Sequence, residues 1–333
     1  PVSSTIMAEY SGKKTRGMMV SMVFAMQAAG LVFGPILAAG LVASGVSESL
    51  TWRLLLAFGA VPALAVFQMR RNLAETPRYL LAAGHHEAFN DAASQALGAV
   101  KSQATGGSAP ESAMKTPVSF RRGFGILVAR RDLVIRLAGA SLAWFLMDFA
   151  YYGNTVSSPM VLTAITPNQT LLWHILLQLA VFAIAALPGY LLAAAMMDRM
   201  GRKPIQILGF AMMALTFAAM ALIPGIEKLV VPFVIIYGIS YFFTEFGPNT
   251  TTFVYPAEIF PVETRTTGHG VASAAGKLGG FIGVFCFPIL LQWHGLLSAE
   301  LAAAAVCILG LLVTLWMLPE TKMKSLEELN QAS

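Results

Sequence analysis

An all-α protein that crosses the membrane many times is the fold class this sequence predicts, and three observations predict it. Hydrophobic residues make up 56% and charged residues only 12% of the 333 positions, where a soluble domain carries about 25% charge. The apolar residues gather into runs of bilayer-spanning length, and the basic residues fall almost entirely in alternate loops between them. The mean hydropathy of +0.68 agrees.

Taken in order, residues 1–9 read as the last turns of a helix, followed by the basic loop of Lys13, Lys14 and Arg16. Windows of about 20 residues then give eight spans, at 18–44, 52–69, 133–157, 171–197, 204–224, 229–256, 268–292 and 298–318. Between the second and third lies Arg70 to Arg131, rich in Ala, Gly, Ser and charge, which reads as a surface connection with Thr105 to Ser112 as its loosest part. The expected divisions are thus 1–69, 70–132, 133–318 and a tail at 319–333. Because Lys and Arg are retained on the cytoplasmic side of short loops, strict alternation puts 13–16, 70–136, 199–203, Arg265 and 322–324 on that side, C-terminus included. Only Arg53 and Lys228 fall opposite, so the net charge of +5 records orientation and is no signal for nucleic acid. Cys286 and Cys307 lie within spans without metal-ligand spacing and read as packed thiols.

An internal repeat organises the spans. Glu9 is followed by Arg16 and Glu258 by Arg265 at the same spacing of seven, and each pair precedes a long helix of small residues. Glu75-Thr76-Pro77-Arg78 and Pro319-Glu320-Thr321-Lys322 then close the two units. Corresponding loops in parallel repeats imply a pseudo-twofold axis along the membrane normal. Six spans in the second unit predict six in the first, so the chain, which begins at Pro1, is expected to lack about three and a half helices.

Three ionisable side chains stand alone in apolar runs. Asp148 has no Asp, Glu, Lys or Arg neighbour between Arg136 and Asp198, Glu245 none between Lys228 and Glu258, and Lys277 none from Thr266 to Gln292. Charges at such depth face a protein interior or polar cavity and mark ion or substrate paths; two acids and one base suit a proton-coupled anion carrier. Trp144, Asp148 and Tyr152, at i, i+4 and i+8, share a helix face over about 12 Å. A rival reading of Asp148 is a permanent counter-ion to Lys277 that holds helices together without titrating. The small residues Ala272 to Ala275, Gly276, Gly279 and Gly280 allow close helix approach around Lys277. His174, His269 and His294 fall near span ends and read as wet, merely polar side chains. No nucleophile, metal cluster or cofactor loop points to an enzyme.

The loop Asp198-Arg199-Met200-Gly201-Arg202-Lys203, the repeated Glu/Arg loops and the ending Pro319-Glu320-Thr321-Lys322 with Ser325-Leu326-Glu327-Glu328 resemble the major facilitator superfamily, in its branch of sugar and phosphate carriers. Met323 stands where that branch commonly has Gly. Two further stretches, Trp144 to Gly153 and Phe246 to Phe253 leading to His269-Gly270 and Gly276-Lys277, resemble the phosphate:proton symporter family. The resemblance implies two pseudo-symmetric six-helix bundles and proton-coupled uptake of inorganic phosphate by alternating access. It implies a multi-pass monomer of the plasma (inner) membrane with no cofactor, and a substrate site of Gln27, Trp144, Asp148, Tyr152, Asn249 and Lys277.

Glu9, Arg16, Asp198, Arg199, Gly201, Arg202, Glu258, Arg265 and Glu320 would form a cytoplasmic gate whose ion pairs break when the cavity opens inward. Phosphate occupying Lys277 would free Asp148 to hold a proton, since the carboxyl's protonation depends on whether that lysine is engaged elsewhere. Glu245 stands where the resemblance implies an amide; a second proton carrier, a tuning charge and a hydrogen-bonded packing residue are all open to it. A sugar or organic-acid carrier of the same fold is the alternative, though sugar recognition has no evident use for a lone Lys277, and a non-transporting nutrient sensor is the more distant one.

Overall fold

The computed structural model describes residues 2–70, 119–324 and 326–331. The segment around Glu75, the stretch 105–112 and the side chain of Glu9 lie outside the described residues. Every regular element among the described residues is helical, as a bilayer demands of a chain that must satisfy its backbone polar groups internally. Helix α1 (Val2–Tyr10) leads to α2 (Arg16–Ala43) and α3 (Glu48–Arg70). A short amphipathic helix, α4 (Phe120–Ala129), starts at Ser119, whose hydroxyl accepts from Arg122 N–H.

The long helix α5 (Arg131–Ile165) comes next, then α6 (Leu171–Met200) and α7 (Arg202–Leu222). Within α6 a π turn at Phe182–Ala186 directly precedes Pro188. The wider turn absorbs a ring that cannot donate a backbone hydrogen bond and crowds the turn before it. The next crossing is broken at Gly247 into α8 (Val230–Phe246) and α9 (Pro248–Ile259). Gly247 and Gly209 of α7 meet backbone to backbone there, which only two residues without Cβ permit.

Arg265–Met317 is 53 residues long, about 80 Å if straight and far beyond one bilayer. His294 and Gly295 leave helical geometry, with φ +64° at Gly295, and the chain doubles back. The result is α10 (265–293) and α11 (296–317), which with the six crossings before them gives the eight expected spans. The tail ends in α12 (Leu326–Gln331). Segments carrying the basic residues meet at one end of the helices: Arg16 bonds Glu258, Arg202 bonds Glu320, and Arg136 bonds the carbonyls of Ile259 and Leu329.

Helix α5 is central, and its contact with α10 positions the lone charges. A Cβ on Gly279 would meet the Phe145 carbonyl and one on Gly283 the Phe149 carbonyl, so these glycines let the two backbones touch. On the same face Gly276 lies against Trp144 and Gly280 against Tyr152, where a Cβ would come within 2.5 and 2.8 Å of the rings. Gly270, also on α10, faces open space. Gly283→Ala is therefore expected to lower stability by about 1–3 kcal/mol through overpacking, while Gly270→Ala is neutral or raises it by about 0.5–1 kcal/mol. Thermal melting of the two purified variants in detergent checks the difference.

Candidate functional site

Side chains from α1, α2, α5 to α10 and the tail build three layers, stacked from the basic end inward. The outermost layer is an ion network centred on Glu258, which is fully buried. Arg202 binds it with two nitrogens, Nε to Oε2 at 2.9 Å and Nη2 to Oε1 at 2.6 Å, and Arg16 Nε reaches Oε1 at 2.9 Å. Thr321 Oγ1 donates to Oε2 at 2.6 Å. A buried carboxylate is tolerable because four donors replace its water.

Two further carboxylates of this layer hold helix N-termini. Asp198 accepts from the backbone of Gly17 and Met18 at 3.0 and 2.8 Å, the start of α2, and pairs with Arg202 at 3.0 Å. Glu320 accepts from the backbone of Arg202 and Lys203 at 3.1 and 3.0 Å, the start of α7. Both carboxylates thus meet unsatisfied N–H groups at the positive end of a helix dipole. Gly201, at φ +103°, brings the backbone so near that a Cβ would lie 2.6 Å from Glu320, a conformation and a space that both require glycine. The network therefore fastens α2 to α6, α7, α9 and the tail.

Below it lies an aromatic row. Phe24 packs on Tyr190 and Phe253, and Phe253 and Trp144 both meet His269 with ring centres 5.6 Å apart. His269 is fully buried and bonded to Ser4, and His174 is buried against Thr166. The expectation of wet histidines is thus corrected for these two, because aromatic packing and hydroxyl partners enclose them; His294 is exposed.

The third layer holds the lone charges. Lys277 Nζ donates to Asp148 Oδ2 at 3.0 Å and to Tyr152 OH at 3.1 Å, and lies 4.6 Å from the centre of the Tyr152 ring. Trp144 faces the same carboxylate from one turn away. The lysine side chain is 62% exposed and that of Asp148 only 2%. Of the two partners it is therefore the carboxylate that is enclosed.

Asn249 and Gln27 stand in a neighbouring cluster, apart from the lysine. Asn249 Nδ2 donates to Tyr190 OH at 2.9 Å and to Glu245 Oε2, and the hydroxyls of Tyr190 and Tyr151 face the Glu245 carboxyl. Gln27 Nε2 reaches Tyr151 OH at 3.5 Å. The rings of Tyr151 and Tyr152 meet edge to face at 5.0 Å, which joins the two clusters.

Of the expected site residues, the structure brings Trp144, Asp148, Tyr152 and Lys277 into direct contact and sets Gln27 and Asn249 beside Glu245. In the outer network it places Arg16, Asp198, Gly201, Arg202, Glu258 and Glu320. Arg199 contributes only its carbonyl, to Lys322, and its side chain is exposed; Arg265 is fully buried at the same end. The sequence reading missed Tyr151 and Tyr190, which carry no signal among so many aromatics. It also missed Glu300, although that residue is the only Asp, Glu, Lys or Arg between Lys277 and Glu320.

The family described as "Sugar (and other) transporter" matches residues 1–332. A protein of Arabidopsis thaliana named "Probable inorganic phosphate transporter 1-6" is 35% identical over 99% of this chain and 69% of its own. "Low affinity inorganic phosphate transporter 1" of Petunia hybrida is 33% identical, with the same coverage of both chains. Among solved structures, the proton:xylose symporter XylE bound to 6-bromo-6-deoxy-D-glucose superposes with a TM-score of 0.79 at 22% identity, over 99% of this chain and 70% of that one. The chain belongs to the sugar (and other) transporter family and has the major facilitator fold.

Within that fold the network around Glu258 is the tie between α2 and the later helices. Glu258→Ala leaves Arg16 and Arg202 buried without their shared acceptor, and is expected to cost about 3–5 kcal/mol. Glu258→Gln, which keeps one acceptor oxygen, should cost less. Thermal melting in detergent, with salt varied to rule out surface screening, tests the order of the two.

Proposed function

We propose that the protein imports inorganic phosphate across the plasma membrane together with protons, by alternating access between two helix bundles. The observation that carries this reading is the Lys277 ammonium, shared between the buried Asp148 carboxylate and the Tyr152 hydroxyl. Phosphate is a tetrahedral anion with several acceptor oxygens. One lysine with neutral donors from Tyr152 and Trp144 beside it, and with Asn249 and Gln27 turned from the adjoining cluster, binds it without the clamp that an arginine fork would make, and so can release it. The names of the relatives from Arabidopsis and Petunia support the same substrate.

Charge balance dictates the cycle. In the empty site Lys277 and Asp148 neutralise each other. An arriving phosphate takes the ammonium, and Asp148, freed of its partner, holds a proton. Loss of that proton to the inside restores the pair and expels the anion. Glu245, tied to Asn249 beside the site, is a second carboxyl able to hold a proton during the cycle.

In this reading 1–69 contributes to one bundle, 133–318 forms the other, and 70–132 joins them in the cytoplasm. The basic end and the tail 319–333 face the cytoplasm, as the loop charges require. The Glu258 network is then the inner gate in its closed state, with the substrate site shielded from the cytoplasm by the aromatic row. The carrier works as a monomer.

The test is radiolabelled phosphate uptake by the intact protein in liposomes, with arsenate, sulfate and glucose as competitors and a protonophore to collapse the gradient. Wild type is expected to accumulate phosphate only while the gradient stands, with arsenate but not glucose competing; competition by glucose would favour a sugar carrier. Asp148→Asn should lose gradient-driven accumulation by more than about tenfold, and Lys277→Ala should lose phosphate binding itself. Accumulation left intact in Asp148→Asn would remove that residue from proton coupling.

A further inference from the structure

On the side of the substrate layer away from the Glu258 network, the bundle holds another buried carboxyl that the phosphate–proton cycle does not use. Glu300 lies on α11 with no exposed surface. Asn154 of α5 donates from Nδ2 to its two oxygens at 3.5 and 3.4 Å. One turn further along α5, Ser158 Oγ bonds the Tyr237 hydroxyl at 2.6 Å and the Tyr241 hydroxyl at 3.1 Å. The two tyrosine hydroxyls are 3.3 Å apart, and Tyr241 also donates to Thr155 at 3.1 Å.

These hydroxyls lie between two carboxyls. Tyr237, Tyr241 and Glu245 succeed one another at four-residue steps on one face of α8. Glu300 acts electrostatically on Tyr237, and Glu245 on Tyr241. The groups that face Glu300 are Asn154 from α5, Tyr237 from α8 and Cys307 from its own helix. None is a cation, so among the described residues nothing but a proton can neutralise this carboxyl. Nor does the cluster satisfy itself as a purely structural network would, since Asn154 Oδ1 and Ser157 Oγ are buried without a hydrogen-bond partner among the described residues.

We propose that Glu300 is a further proton-holding site of the carrier, and that the hydroxyls of Tyr237, Ser158 and Tyr241 pass its proton towards Glu245. Each hydroxyl accepts a proton on its oxygen and gives up its own, and a water molecule makes the same exchange between Glu300 and Tyr237 and between Tyr241 and Glu245, so protons and charges balance along the file. The file runs from the half of the bundle away from the Glu258 network to the substrate layer. The inference rests on the phosphate–proton reading of the substrate site.

Gradient-driven phosphate uptake and phosphate–phosphate exchange at equal pH, measured on the intact protein in liposomes, separate the two ideas. For Glu300→Gln, uptake should fall about tenfold and its pH profile flatten, with exchange kept within about twofold; Glu300→Asp should restore the profile. Tyr241→Phe, which keeps the ring and removes one link, should lower uptake in the same direction and guards against misfolding of the first variant. Wild-type uptake and pH profile in either Glu300→Gln or Tyr241→Phe would overturn the relay while leaving symport standing. Wild-type uptake that ignores the gradient would overturn both.

Discussion

The approach of α5 to α10 is the constraint on which the substrate layer depends. Without Cβ atoms at Gly279 and Gly283 the two backbones touch, and the side chains flanking that contact are fixed by it: Trp144 over Gly276, Tyr152 over Gly280. Asp148 sits midway between those rings along α5, and Lys277 comes directly after Gly276. The ion pair is thus imposed by the backbone seam. A lysine on a looser helix would be free to reach towards a membrane surface with its ammonium; here Asp148 and Tyr152 hold it at depth. Buried charge is tolerated because seam, pair and hydroxyl arrive together.

The same economy governs the basic end. Glu258, Asp198 and Glu320 each serve donors from more than one residue, so no carboxylate can leave without stranding an arginine or a helix N-terminus. Such a network resists small displacements and gives way as a unit, which is the behaviour of a two-state contact. Many of its bonds run between α2 and helices far along the chain. That is the junction that must part if the site is to open at this end.

Much of this was legible in the sequence, and for a physical reason. A lone charge in an apolar run is costly, so Asp148, Glu245 and Lys277 stand out without any knowledge of the fold, and the four-residue spacing from Trp144 to Tyr152 fixes their common face. The spans were legible because a bilayer leaves the backbone few choices. Partner identity was not. Glu258 and Arg265 are neighbours in sequence, yet Glu258 bonds Arg16 and Arg202, brought to it by packing that no local pattern encodes. The hydroxyls of Tyr151 and Tyr190 are hidden among aromatics that sequence alone reads as lipid-facing or core, and His269 could not be known to be enclosed before Trp144 and Phe253 were placed around it. Glu300 satisfies the lone-charge rule as well, and its carboxyl is as completely buried as that of Glu245.

The separation of the two acid clusters bears on why a carrier would keep Glu245 at all. Beside Asn249, a permanent negative charge would repel the anion that the proposed function assigns to Lys277. Tied by Asn249 and faced by Tyr151 and Tyr190, the carboxyl has neutral donors but no cation of its own among the described residues, while Asp148 has taken the lysine. The two acids therefore cannot behave alike. Under the proposed function Asp148 is governed by whether phosphate occupies Lys277, whereas Glu245 is governed by the hydroxyls and amide around it and so by the packing of α5, α6 and α8. In the proposed cycle one acid would then report the substrate and the other the conformation, the two dependences a symporter needs if a proton is to be taken up on one side of the membrane and given up on the other.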